Sequence, residues 1–140
     1  MANQTEQYPF TPRDRGFGRP AFYPLLPINL ALGQRTVAVS GLLDTAATVS
    51  VLPFDVGLQI GAVWEEQTIA FELTGNLALE EARALLVTTK VGQFPPVVLA
   101  FAWTKSNSVP VLLGQTNFFM EFDVCFFRSR AIFEVTPKQS

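Results

Sequence analysis

The chain has 140 residues, of which 49% are hydrophobic and 16% charged, with a net charge of −2 and no histidine. This length suits one domain, and so apolar a composition excludes a disordered chain. The charge balance leaves no basic surface for nucleic acid, and the missing histidine removes Ser-His-Asp triads, Cys-His pairs and His-ligated zinc.

Residues 1–20 read as a flexible N-terminal tail, carrying Arg13, Arg15 and Arg19 among Gly16, Gly18, Pro12 and Pro20. Met1 to Gln7 is polar and unlike a secretory leader. No run of about 18 apolar residues occurs, so no membrane-spanning helix is expected. Together these suggest a cytoplasmic protein. Residues 21–137 form the domain.

Phe22 to Leu32, apolar but broken by Pro24 and Pro27, suits an edge strand. Gly33-Gln34 forms a tight turn. Thr36 to Leu43 then alternates, with Val37, Val39 and Gly41 on one face and Ala38 and Leu42 on the other. Pro53 closes the segment that follows, and Gly57 to Ala62 reads as a connection. Asp55 reads as a turn or cap residue. Thr68 to Leu73 alternates as a strand, and Thr74-Gly75-Asn76 is a turn signal. Leu77 to Thr89 holds helix formers but is assigned as the returning arm of a hairpin.

Phe94-Pro95-Pro96 breaks the chain. Val97 to Trp103 is a strongly apolar strand, and Val111 to Leu113 a short buried one. Gln115 to Glu121 suits a brief helix. Val124 to Phe127 and Ala131 to Val135 suit a final hairpin. Cys125, the single cysteine, reads as a buried thiol between Val124 and Phe126. Many short strands with regular turns indicate an all-β barrel or sandwich.

One residue resists a purely structural reading. Asp44 lies in Leu42-Leu43-Asp44-Thr45-Ala46-Ala47-Thr48-Val49-Ser50-Val51-Leu52, a lone acid in an apolar run. A carboxylate in such company is costly unless it is hydrogen-bonded or shares its charge. Ser50 is placed to bond nearby backbone. Some 60 residues later comes Val111-Leu112-Leu113-Gly114-Gln115.

An apolar-apolar-Asp-Thr segment followed by apolar-apolar-Gly near the end of the chain resembles the signature of the retropepsin-like aspartic proteases. The resemblance spans roughly residues 22–135. It implies an all-β, closed retropepsin-like (acid protease) barrel with one short C-terminal helix, and a homodimer with one active site at its interface. It makes Asp44 catalytic, one copy per subunit. Thr45, Ala46 and Ala47 complete the active-site loop, with the Thr45 hydroxyl bonding across the twofold axis. Thr74, Gly75 and Asn76 fall where the family places its flap, which closes over an extended polypeptide substrate. Gly114 becomes a packing glycine behind the loop, and residues near Ala131 to Val135 become interface candidates.

The implied chemistry needs no cofactor and no metal. Two carboxyls about 3 Å apart share a proton. One activates a water as general base, while the other, protonated, polarises the scissile carbonyl.

The chain departs from the family in two ways. Ala46 replaces the usual glycine of Asp-Thr-Gly. Thr48 and Gln115 stand where retroviral members carry an Asp–Arg ion pair, so both charges are lost together, which costs little. The alternative function is a weak or inactive pseudoprotease that binds peptides or serves as a dimeric structural module.

Overall fold

The computed structural model describes residues 4–14, 18–73 and 80–139. Its strands are β1 Glu6–Pro9, β2 Thr11–Arg13, β3 Ala21–Tyr23, β4 Leu25–Leu32, β5 Arg35–Leu43, β6 Ser50–Leu52, β7 Ala70–Phe71, β8 Ala82–Val91, β9 Val97–Thr104, β10 Leu112–Leu113, β11 Phe122–Phe127 and β12 Ile132–Pro137. The α-helices are α1, Phe54–Gln59, and α2, Phe118–Glu121.

The main sheet runs β4-β5-β10-β6-β9-β8-β7, and β4 also pairs with β8. That extra pairing closes a six-stranded barrel from β4, β5, β10, β6, β9 and β8. Alternation explains why these segments form its walls. Leu26, Ile28 and Leu30 of β4 point into the core, as do Leu85, Val87 and Val91 of β8 and Leu99 and Phe101 of β9. Each such large side chain contributes about 1.5–3 kcal/mol on burial. The β4–β5 hairpin has Leu32 opposite Arg35 across a two-residue turn, with Gly33 at φ 59°. A primed turn needs this left-handed value at its first central position.

Three segments differ from their expectations. Phe22 to Leu32 is two strands, β3 and β4, with Pro24 between them. β4 is no edge, because Ile28 to Ala31 pair with both β5 and β8. Pro27, which has no N–H to donate, precedes the doubly paired stretch. Residues expected to connect strands instead form α1. Its glycine is required by packing: a Cβ on Gly57 would collide with the Trp103 indole, which stacks on Phe54 at 5.6 Å and donates from Nε1 to the Phe54 carbonyl. Asp55 lies in the first turn of α1, where an acid suits the helix dipole.

The segment read as a flexible tail contains structure. β1 pairs antiparallel with β12, with Glu6 opposite Val135, and β2 pairs with β3. Phe10, between β1 and β2, is buried against Phe133 in an edge-to-face contact at 5.7 Å. The Glu6 carboxylate accepts the Gln93 N–H and the Tyr8 hydroxyl. A Cβ on Gly92 would collide with it. Burial of an aromatic and a charge-assisted latch therefore hold the arm down.

β11 and β12 form the expected hairpin, and with β1 they make a three-stranded sheet ordered β1-β12-β11. Cys125 is exposed rather than buried, because β11 is the outermost strand of this sheet. Residues 132–135, expected at an interface, lie in the central strand with both backbone edges paired inside the chain.

Candidate active site

The loop from Asp44 to Val49 leaves the barrel at the end of β5 and returns as β6. The short strand β10 lies between these two, parallel to β5 and antiparallel to β6. The chain after β10 then runs beside the loop and clamps it. Asp44 N–H donates to the Leu113 carbonyl at 3.0 Å. Gln115 N–H donates to the Ala47 carbonyl and Thr116 N–H to the Thr48 carbonyl, both at 2.9 Å. Ser50 N–H donates back to the Thr116 carbonyl at 2.9 Å. The loop's backbone polar groups are thus satisfied without regular sheet, as a partly buried turn requires.

Two side chains complete the clamp. Ser50 is fully buried, and its Oγ accepts the Gly114 N–H at 3.0 Å. Gln115 Nε2 donates to the Thr45 carbonyl at 2.6 Å. Gly114 allows this approach, since a Cβ there would meet the Val49 carbonyl oxygen at 2.5 Å and that of Ala47 at 2.8 Å. Those are rigid backbone atoms, so no side chain fits.

Asp44 is half-buried, and its Oδ1 accepts the Ala46 N–H at 3.0 Å. Its own carbonyl accepts the Ala47 N–H at 3.1 Å, which closes a tight turn under the carboxylate. Thr45 and Ala46 at the tip are exposed. The Thr45 hydroxyl has no partner among the described residues. Ala46 replaces glycine without backbone strain, because the one non-glycine residue at positive φ among the described residues is Ala131.

A second apolar cluster flanks this loop. Val51, Leu73, Ala82, Ala102, Val109 and Leu112 form it, with Leu42, Val49 and Phe71 packed against them. The grooves of about 510 Å³ among the described residues lie elsewhere: Tyr8, Pro27 and Asn29 help line one, and Leu32, Val63 and Ile69 the other. Neither includes Asp44.

The structure brings together the two motifs that the sequence separates, placing Asp44, Thr45, Ala46 and Ala47 against Leu113 to Thr116. The expected flap residues Thr74, Gly75 and Asn76 lie outside the described residues; the strands beside them, β7 and β8, pair antiparallel. Asp123 is exposed on β11, away from the motif. The clamping role of the Gln115 side chain was not legible in the sequence, where Gln115 registered as a missing charge. Its adjacency to Gly114 was the available signal.

The closed barrel and its interlocked loop define a retropepsin-like fold. A solved structure with this architecture is that of a retropepsin-like aspartic protease from Rickettsia conorii. It superposes with a TM-score of 0.61 at 13% sequence identity, over 100% of this chain and 98% of that one. No protein-family model matches the chain, and no curated protein matches it by sequence.

Proposed function

We propose that the protein is an aspartic endopeptidase that works as a homodimer. Asp44 and the partner's Asp44 form the catalytic pair, and the substrate is an extended polypeptide. The observation that carries this reading is the presentation of Asp44: a half-buried carboxylate fixed by Ala46 N–H at the tip of a loop clamped on its far side. A rigid, partly exposed acid with one oxygen already oriented is what water activation by a shared carboxyl pair demands.

In this mechanism one carboxylate takes a proton from the lytic water as that water attacks the scissile carbonyl. The other carboxyl, protonated, donates to the carbonyl oxygen and stabilises the tetrahedral intermediate. Proton transfer to the leaving amine then completes cleavage of the C–N bond. The exposed, unpartnered Thr45 hydroxyls supply a bond across the twofold axis, and Thr74, Gly75 and Asn76 close over the substrate as a flap. Because the mechanism needs one carboxyl protonated and one ionised, activity rises on the acid side of neutrality.

The test is cleavage of a denatured protein between about pH 4 and 7, on the acid side where one carboxyl of the pair can hold a proton. Asp44→Asn should lower the rate by at least about 10³-fold, the scale of a lost acid–base group, while leaving the melting temperature unchanged. Equal rates for both proteins would leave a dimeric peptide-binding module with the same fold.

A further inference from the structure

We propose that a furrow between the N-terminal arm and the β4–β5 hairpin is a second docking site for the polypeptide substrate, and that it selects chains carrying an acidic segment near the scissile bond. The inference rests on the reading of Asp44 as a peptidase residue and adds a substrate class to it.

The furrow has two walls from distant parts of the sequence. Pro9, Thr11 and Arg13 of the arm form one, and Leu25, Pro27 and Ser40 of β4 and β5 the other, around a space of about 240 Å³. It adjoins the groove of about 510 Å³ that reaches Asn29 and Gln93, sharing Tyr8, Pro27 and Ser40 with it. The arm wall is set before any ligand arrives. Phe10 is buried, the Glu6 carboxylate accepts the Gln93 N–H, and the Arg128 guanidinium lies over the rings of Phe10 at 5.7 Å and Phe22 at 4.9 Å. A groove fixed in advance costs little ordering when it is filled.

Its place in the fold ties it to Asp44. Leu25 pairs with Leu42, and the Pro24 carbonyl accepts the Leu43 N–H at 3.1 Å. The furrow therefore opens at the level of Leu42, which at about 3.3 Å per residue is about 7 Å along β5 from Asp44. Its far wall at Ser40 lies about 13 Å away on the same count. A polypeptide held at Asp44 reaches the furrow with a few further extended residues.

Charge names the occupant. Arg13 is exposed and forms no ion pair among the described residues, and the same holds for Arg19 between β2 and β3. Arg128, stacked on Phe22 of β3, adds a guanidinium at the base of this ribbon. In a chain whose net charge is −2, these arginines are a local excess of positive charge. The Thr11 and Ser40 hydroxyls have no partner among the described residues, so they can donate to a carboxylate held by Arg13. Pro9, Leu25 and Pro27 offer apolar contact beside them. Successive side chains of an extended strand point to opposite faces, so a segment alternating acidic and apolar residues meets both kinds of wall.

The probe is a fluorescein-labelled peptide alternating Glu and Leu over about eight residues, roughly 26 Å when extended. A Gln–Leu peptide of equal length is the control. With the full chain carrying Asp44→Asn, so that nothing is cut, fluorescence anisotropy should show the Glu peptide bound about fivefold tighter than the control, and less tightly as salt is raised. Arg13→Glu, at an exposed position, should abolish that preference with an unchanged melting temperature. Ser40→Trp, which fills the furrow from an exposed position, should weaken binding of the Glu peptide, whereas Arg19→Glu, outside the furrow, should weaken it less than Arg13→Glu does. Equal binding of the two peptides would overturn the proposal. So would equal losses from Arg13→Glu and Arg19→Glu, the mark of a diffuse field, or tighter binding of a labelled single-stranded oligonucleotide, the mark of a nucleic-acid surface. Cleavage by the chain with Asp44 intact separates the two readings. A peptide substrate flanked by glutamates should show a lower KM than one flanked by glutamines, at the same kcat. Cleavage without that preference removes the furrow and leaves Asp44 its role. Preferential binding without cleavage removes the role of Asp44 and leaves the furrow as a site for acidic peptides.

Discussion

The buried hydroxyl of Ser50 accepts the Gly114 N–H at 3.0 Å, tying together two segments 64 residues apart. Gly114 in turn lies where any side chain would strike the carbonyls of Val49 and Ala47. Each residue explains the other, because the hydroxyl bonds the amide that the missing Cβ lets approach.

Ser50→Ala therefore leaves a buried N–H without an acceptor. It should cost about 1–3 kcal/mol, the usual penalty for such a group, read as a lower urea midpoint with an unchanged m-value. Gly114→Ala forces backbone apart and should lie at or above the upper end of the same range, about 3 kcal/mol. Both should lose cleavage activity with the loop geometry. A Gly114→Ala variant as stable as the wild type would contradict the packing described.

Ala46→Gly places at the loop tip the glycine usual in retropepsin-like proteases. Since Ala46 is exposed and free of left-handed strain, the methyl is not held in collision within the chain. The change should lower stability by about 0.5–1 kcal/mol through added freedom in the unfolded chain. Its effect on kcat/KM should stay under about tenfold, or about 1.4 kcal/mol in the barrier. A gain well beyond that would show that the methyl blocks substrate or the partner's loop.

Gln115→Leu removes the 2.6 Å bond to the Thr45 carbonyl but keeps the backbone clamp. Gln115 is exposed, so the stability loss should stay near about 1 kcal/mol. If the side chain positions the Asp44 loop, kcat falls while KM for a peptide holds, and the pH profile of kcat shifts. Gln115→Glu, which offers an oxygen to a carbonyl, should be at least as impaired.

The Tyr8 hydroxyl is pushed well above its ordinary value of 10.0, first by burial, then by its hydrogen bond to Glu6 and by the Glu6 charge. In the unfolded chain the phenol loses its proton near that ordinary value, whereas in the folded chain it holds the proton longer. Stability from this latch is thus complete below pH about 10 and falls as pH rises beyond it. Urea midpoints followed from neutral to strongly alkaline pH should show the decline, and Tyr8→Phe should flatten it. An equal decline in the variant would place its origin in another group.

Much of the barrel was legible because its walls alternate with period two and its turns carry glycine. Val37, Val39 and Gly41 share the inner face of β5 as their spacing indicated. The pairing of the two motifs was legible from order and separation. What failed depended on distant partners. Gly57 belongs to a helix because of Trp103, 46 positions later (103 − 57). Glu6 to Pro9 becomes a strand because β12 lies beside it. Cys125 has buried-looking neighbours, yet β11 is covered on one edge alone. Local composition carries none of this, because burial at a sheet edge is fixed by topology.

The insertion of β10 between β5 and β6 also sets the order in which the site can come into being. The bond from Gln115 to the Thr45 carbonyl spans 70 residues, and the loop has no shape of its own until that later segment is in place. Contacts so far apart in sequence form late, after the entropy of closing the long intervening loop has been met. During synthesis a chain that has passed Asp44 holds an acid without a setting. On the proposed reading, hydrolytic competence is thereby withheld from the growing chain itself, and it arrives only when nearly the whole barrel has closed.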